Sequence, residues 1–129
     1  MQILIINPLL QFLRGGAEIN DLNLGREFRS QGHRAIHVGI SCQNRGKQSL
    51  ESDVEFESIS MPYYYRALDS FGNLAAKICR NFFYTHFALT LIKQQEGLLN
   101  SSDLILLTGK PHLTRIKKHV PGILMHSVR

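Results

Sequence analysis

The sequence predicts an α/β fold, a Rossmann-like open parallel sheet with helices on both faces, and three observations carry that prediction. Ile3 to Ile6 is a continuous apolar run, the form of a strand buried on both faces. Gly15-Gly16 then opens a helical pattern that ends near Gly32, so the order is strand, glycine turn, helix. Ala35 to Ile40 and Leu104 to Leu107 repeat the buried-strand form further along, as a wound parallel sheet requires.

The first strand stops at Asn7-Pro8, because proline cannot donate to a ladder, and the chain continues as loop to Arg14. In the helix that follows, Ala17, Leu24 and Phe28 share one face with Ile19 and Leu22 beside it. Glu18, Asn20, Asn23, Arg26, Glu27 and Arg29 are left to face water. Gly32 suits the position just past a helix end, and Ala35 to Ile40 completes a β-α-β unit of two parallel neighbours. Ser41 to Asp53 reads as a surface loop. Val54, Phe56 and Ile59, closed by Met61-Pro62, predict a third strand whose glutamates Glu55 and Glu57 place it at an edge.

From Tyr63 to Gln95 the pattern is helical and reads as two helices, interrupted at Gly72-Asn73 or at Arg80-Asn81. Leu68, Phe71, Leu74, Ala75 and Ile78 form one apolar side, followed by Phe83, Phe87, Leu91 and Ile92. The apolar part from Phe82 to Ile92 is far short of the roughly 20 residues of a membrane span. Leu104 to Leu107 is the next strand, Thr108-Gly109-Lys110-Pro111 is a second strand-to-helix turn, and Pro121-Gly122 precedes a last strand from Ile123 to Val128.

At 129 residues the chain is long enough for one domain with a real core, and a hydrophobic content of 43% with 19% charged residues argues against disorder. Cys42 and Cys79 make no disulfide framework and read as small hydrophobes. No basic segment and cleavage site precede the first strand, so a cytoplasmic protein is expected. Fifteen Lys and Arg against ten Asp and Glu give a net charge of +5. Lys110, Arg115, Lys117 and Lys118 cluster near the end, as a solvated face or as a patch for an anionic partner. No arginine-rich run or recognition helix points to nucleic acid.

The glycine turn is where chemistry is expected. Bare amides and the positive end of the helix dipole would face back over the carboxyl end of the first strand, a ready anion site, although a glycine pair also serves a plain turn. It is not the dinucleotide fingerprint, since no Gly-x-Gly-x-x-Gly occurs. Thr108-Gly109-Lys110-Pro111 is not a phosphate loop of the NTPase kind, and no Gly-x-Ser-x-Gly elbow is present. His33, His37, His86 and His119 lack the spacing and partners of a metal site, so no metal is expected.

Pro8, Gly15-Gly16, Glu18, Leu22, Leu24, Arg26-Glu27-Phe28 and Gly32-His33, in that order behind the Ile-Leu-Ile-Ile strand, resemble the opening of the family 4 glycosyltransferases. The resemblance implies that residues 1–129 are the N-terminal acceptor-side domain of a GT-B fold. The retaining enzymes of that family move a sugar from a nucleotide-sugar donor to a hydroxyl acceptor and need no further cofactor. Their donor-binding half carries paired glutamates in an E-x7-E region. No such pair occurs here, so a truncated frame is expected, with the donor domain absent or supplied by a separate chain.

By the same resemblance Gly15 and Gly16 approach the donor diphosphate, Thr108 and Gly109 line the cleft, and Glu18 matches the family's Gly-Gly-x-Glu. His126 matches a histidine at the end of the last strand, one residue early, and His112 is a poor substitute for another. The aromatic cluster of Tyr63-Tyr64-Tyr65 and Phe82-Phe83-Tyr84 falls in the insertion that borders the acceptor cleft or touches a membrane surface in related enzymes. The resemblance therefore implies a sugar or lipid-linked acceptor and a peripheral membrane contact. The alternative is a non-catalytic α/β binding module for an anionic partner.

Overall fold

Five strands form one sheet in the order β3-β2-β1-β4-β5, and every neighbouring pair is parallel. In this computed structural model the described residues are 1–10, 16–40, 54–60, 72–108 and 123–127. Along the chain they are β1 (Gln2–Ile6), α1 (Gly16–Ser30), β2 (Arg34–Ile40), β3 (Glu55–Ile59), α2 (Gly72–Gln94), α3 (Glu96–Ser101), β4 (Leu104–Thr108) and β5 (Ile123–Ser127). The predicted parallel α/β sheet is present, with β3 at one edge as its glutamates required. β5 forms the other edge among the described residues.

The two faces of the sheet differ in chemistry. Leu4 and Ile6, Ile36, Val38 and Ile40, Ile59, and Ile105 and Leu107 alternate onto one face, where they meet Phe83, Phe87, Ala88 and Leu91 of α2 and Leu99 of α3. Phe83 and Phe87 are fully buried, each contributing about 1.5–3 kcal/mol by removal from water. Tyr84 sets its ring edge-on to Phe83, with the centroids 5.3 Å apart. The other face, beneath α1, takes the intervening residues, and among them are Asn7, His37 and Thr108, all buried.

That polar content turns α1 from its expected orientation. Its buried residues are Glu18, Asp21, Leu22 and Gly25. Arg29 is half-buried and donates from Nη1 to the Ala35 carbonyl, while Ile19 is 48% exposed. Glu18 and Arg29 therefore do not face water, and Ala17, Leu24 and Phe28 are only half-buried. Apolar spacing could not find this face, because α1 lies over polar groups at the end of the sheet and presents polar groups to meet them. The helix ends as predicted: Gly32 has φ +88°, Gly32 N donates to Arg29 O and His33 N to Phe28 O, both at 3.0 Å. This paired closure satisfies two of the last carbonyls and needs the left-handed residue that glycine supplies.

α2 runs unbroken through Arg80-Asn81, correcting the interruption expected there. Neither residue is a helix breaker, and α2 continues through them to the buried Phe83 and Phe87. Of the two marks, Gly72-Asn73 coincides with the start of the helix. Leu74 and Ile78, expected on the core side, are exposed. The helix stops at Gln94, and the short α3 follows it. The expected loop from Ser41 to Asp53, the aromatic run at 63–65, Met61, Pro62, Leu68, Phe71 and the turn at 109–111 lie outside the described residues.

The amino edge of the sheet is tied by polar bonds. Gln2 N donates to Asp103 Oδ2 at 2.8 Å, and Asp103 N donates to Gln2 O at 2.9 Å. Arg34 forms an ion pair with Glu55 across β2 and β3, and that hydrogen bond holds the Glu55 carboxyl below its usual range. Both side chains are exposed, so the pair marks the pairing of the strands more than it stabilises the fold.

Candidate functional site

The site lies at the carboxyl edge of the sheet, between β1 and β4. There the strand order reverses direction from the β1-β2-β3 half to the β4-β5 half. Crevices outside the carboxyl ends of parallel strands at such a point are where open α/β sheets bind ligands. The two strands run side by side from Ile3 against Leu104 to Ile6 against Leu107, so their exits, Asn7 and Thr108, lie next to each other at this switch point.

Asn7 leaves β1 while still bonded to the sheet, its N donating to Val38 O at 3.0 Å. Its side chain turns the chain, with Oδ1 accepting from Leu9 N at 3.1 Å, an Asx turn that sets up Pro8. Gly39 on β2 makes this exit fit. A Cβ there would stand 2.6 Å from Asn7 O and 3.4 Å from Pro8 O, so only glycine lets the β1 exit lie so close.

Asp21 of α1 joins the two exits. Its carboxylate accepts from Asn7 Nδ2 at 2.9 Å and from Thr108 Oγ1 at 3.1 Å. The residue is 2% exposed, so this carboxylate is spent inside the fold and is not presented to the crevice. A buried carboxylate with such donors is a stable arrangement only as a connected unit. It fixes α1 over the ends of β1 and β4, so that the first turn of α1 is held at the mouth of the crevice.

That first turn begins at Gly16. By helix geometry the amides of Gly16, Ala17 and Glu18 have no acceptor inside α1, and the positive end of the dipole lies there. Gly16 is exposed, has no left-handed φ, and a Cβ on it would meet no described atom within 4 Å. The described fold does not itself demand glycine at this position. Glu18, in the same first turn, is buried and is an acidic residue favourable to the dipole.

Thr108 thus ends β4 at the crevice, with its hydroxyl bound to Asp21. His126 lies on β5 with its Cα paired to that of Leu107, one position before the Thr108–Ser127 pair at the edge. Gly15, Gly109 and His112 lie outside the described residues. Asn7 and Asp21 were not singled out by their sequence signals. Asn-Pro at a strand end was a legible hint of an Asx turn, whereas Asp21 looked like any acidic helix residue.

A second buried polar group sits one strand away. His37 is fully buried beneath α1, where a Cβ on Gly25 would fall 2.4 Å from its Nε2. Among the described residues neither ring nitrogen has a hydrogen-bond partner. Burial, with Arg29 and then Arg26 adding to it, pushes its pKa down to about 4. The imidazole is neutral at pH 7 and packs as a flat core side chain. Among the described residues no group of three or more His, Cys, Asp or Glu is placed to hold a metal ion.

No protein-family model matches the chain, and no curated protein is similar to it.

Proposed function

We propose that the chain forms the acceptor-side half of a retaining glycosyltransferase. In this reading it moves a sugar from a nucleotide-sugar donor to a hydroxyl acceptor, opposite a donor-binding domain outside these 129 residues. The reading starts from the resemblance of residues 1–40 to the family 4 enzymes. The observation that carries it is the placement of Gly16: a bare glycine at the mouth of the switch-point crevice, with open space where a side chain would stand. Glycine there leaves the first amides of α1 open to the close approach of a ligand.

In this reading the bond from the sugar's anomeric carbon to the diphosphate breaks, and a bond from that carbon to the acceptor oxygen forms. The acceptor proton is released, and the nucleoside diphosphate leaves with the bond electrons. The negative charge gathering on the diphosphate is what the amides of Gly16 and Ala17 are oriented to stabilise. Asp21, through Asn7 and Thr108, is a positioning residue for that turn. By the resemblance, Gly15 and Gly109 are assigned to the same site, and His126 is the side chain assigned to the reacting sugar.

The reading is tested by calorimetric titration with UDP, GDP and their hexose conjugates, of the chain alone and mixed with a donor-binding domain encoded beside it. Binding is expected, and Gly16→Val is expected to weaken it by at least about tenfold, because a branched side chain would fill the approach to the amides. Far-UV circular dichroism should be unchanged, since the position is open. Absence of binding in both arrangements would contradict the transferase reading and favour a non-catalytic module.

A further inference from the structure

α2 carries two apolar faces, and only one is used by the core. Phe83, Phe87 and Leu91 are buried in the core, while Leu74, Ile78, Phe82 and Leu89 are 74%, 49%, 67% and 57% exposed. At 3.6 residues per turn, positions 74, 78, 82, 85, 89 and 92 fall within roughly 80° of one another, and no other position of α2 lies in that arc. They are Leu, Ile, Phe, Thr, Leu and Ile, so no charge interrupts the stripe. Scattered exposed apolar residues are ordinary, but large ones aligned along one helix are a surface built for contact.

The spacing within the stripe identifies a second copy of the chain as its occupant. Turned end for end about Phe82, the stripe returns on itself to within about one residue of helix rise. Two copies of α2 laid antiparallel therefore set Leu74 against the partner's Leu89 and Phe82 against the partner's Phe82. The smaller Thr85 falls opposite the partner's Ile78, whereas parallel pairing would set Thr85 against itself. This is the self-complementary contact that a two-fold axis requires. The exposed parts of the four large side chains amount to about 500 Å² per copy, so the pair covers about 1,000 Å², the size at which a specific interface begins.

The charges agree with that arrangement. α2 contains no Asp or Glu, and its exposed Lys77 and Lys93 lie outside the apolar arc, one on each flank. In the antiparallel pair the two Lys77 are separated by about 14 Å along the helix axes and the two Lys93 by about 34 Å, both beyond the screening length of about 8 Å at physiological salt. We propose that the outer face of α2 is a homodimer interface, with two copies packed antiparallel about a two-fold axis at Phe82. This does not rest on the transferase reading, since it uses neither the carboxyl edge nor Gly16.

The test is sedimentation equilibrium of the full chain between about 5 and about 500 μM, the range that a dimer of so small an area calls for. The mass should rise with concentration from 14.7 kDa toward twice that value. Phe82→Glu should weaken the association by at least about a hundredfold, because the two-fold axis counts each lost aromatic contact twice. Its far-UV circular dichroism should match that of the parent, since Phe82 is exposed. Leu74→Glu and Leu89→Lys should each weaken self-association, and mixed they should bind each other at least about tenfold more tightly than either binds itself. That preference is specific to the antiparallel register, where position 74 of one chain meets position 89 of the other. A mass that stays at 14.7 kDa throughout would overturn the proposal. So would association that survives Phe82→Glu, mixed variants without preference for each other, or a chain that stays monomeric and instead binds phosphatidylserine vesicles through Phe82.

Discussion

Asp21→Ala is expected to cost about 2–4 kcal/mol of unfolding free energy, read from urea denaturation at neutral pH. The physical reason is the asymmetry of buried hydrogen bonds. Truncation removes the bonds at 2.9 Å to Asn7 and 3.1 Å to Thr108, and leaves the Asn7 amide and the Thr108 hydroxyl without the carboxylate that desolvation obliges them to have. Thr108→Val removes one donor while keeping the shape, and should cost only about 1 kcal/mol. The two changes act on one unit, so the double variant should be less destabilised than the sum of the singles. A loss below about 0.5 kcal/mol for Asp21→Ala would show that the carboxylate does not hold the two strand exits together.

Acid should destabilise the protein through His37 by about 3 kcal/mol, the second large effect. The folded pKa of about 4 lies below the ordinary value of 6.5, so the folded state binds fewer protons than the unfolded chain across that window. The stability is fully present above about pH 6.5, declines as the pH falls, and is lost as it passes through about 4. The groups around the ring agree in sign. Arg29 and Arg26 approach from α1, and the neighbouring strands place Ile5 and Phe56 beside His37 in the sheet. Carboxylates titrate in the same range, so the readout is a difference. The loss of stability between about pH 7 and about pH 4.5 should be smaller in His37→Leu than in the parent by most of that amount. Equal losses would place the ring in an environment that accepts the proton.

What the sequence made legible follows from which signals are local. β1, β2 and β4 were readable because buried parallel strands are uninterrupted apolar runs, and β3 because Glu55 and Glu57 can only be tolerated at an edge. The closure of α1 was readable in Gly32, whose positive φ is a backbone requirement of one residue. The inward face of α1 was not readable, because Asp21 is buried by partners more than ten residues away, Asn7 and Thr108, and Arg29 reaches the Ala35 carbonyl on β2, and no periodicity of apolar residues announces them. The same holds for α2, where two apolar stripes on one helix blur the pattern and Leu74 and Ile78 look like core. Of the crevice, the glycine turn and Thr108 were singled out, while the carboxylate that aligns them was not. Gly39 and Gly25 owe their identity to contacts at 2.6 Å and 2.4 Å that only the fold creates.

The central claim is that the carboxyl edge between β1 and β4 receives the diphosphate of a nucleotide sugar. Backbone amide resonances recorded during titration with UDP and GDP test it most directly, because weak binding still moves the amides it touches. The account predicts saturable shifts concentrated at Gly16, Ala17 and Glu18 and at Leu107 and Thr108, with the Asp103 end of β4 unmoved. Shifts confined to the amino edge or to the outer face of α2, or none under saturating nucleotide, would contradict it.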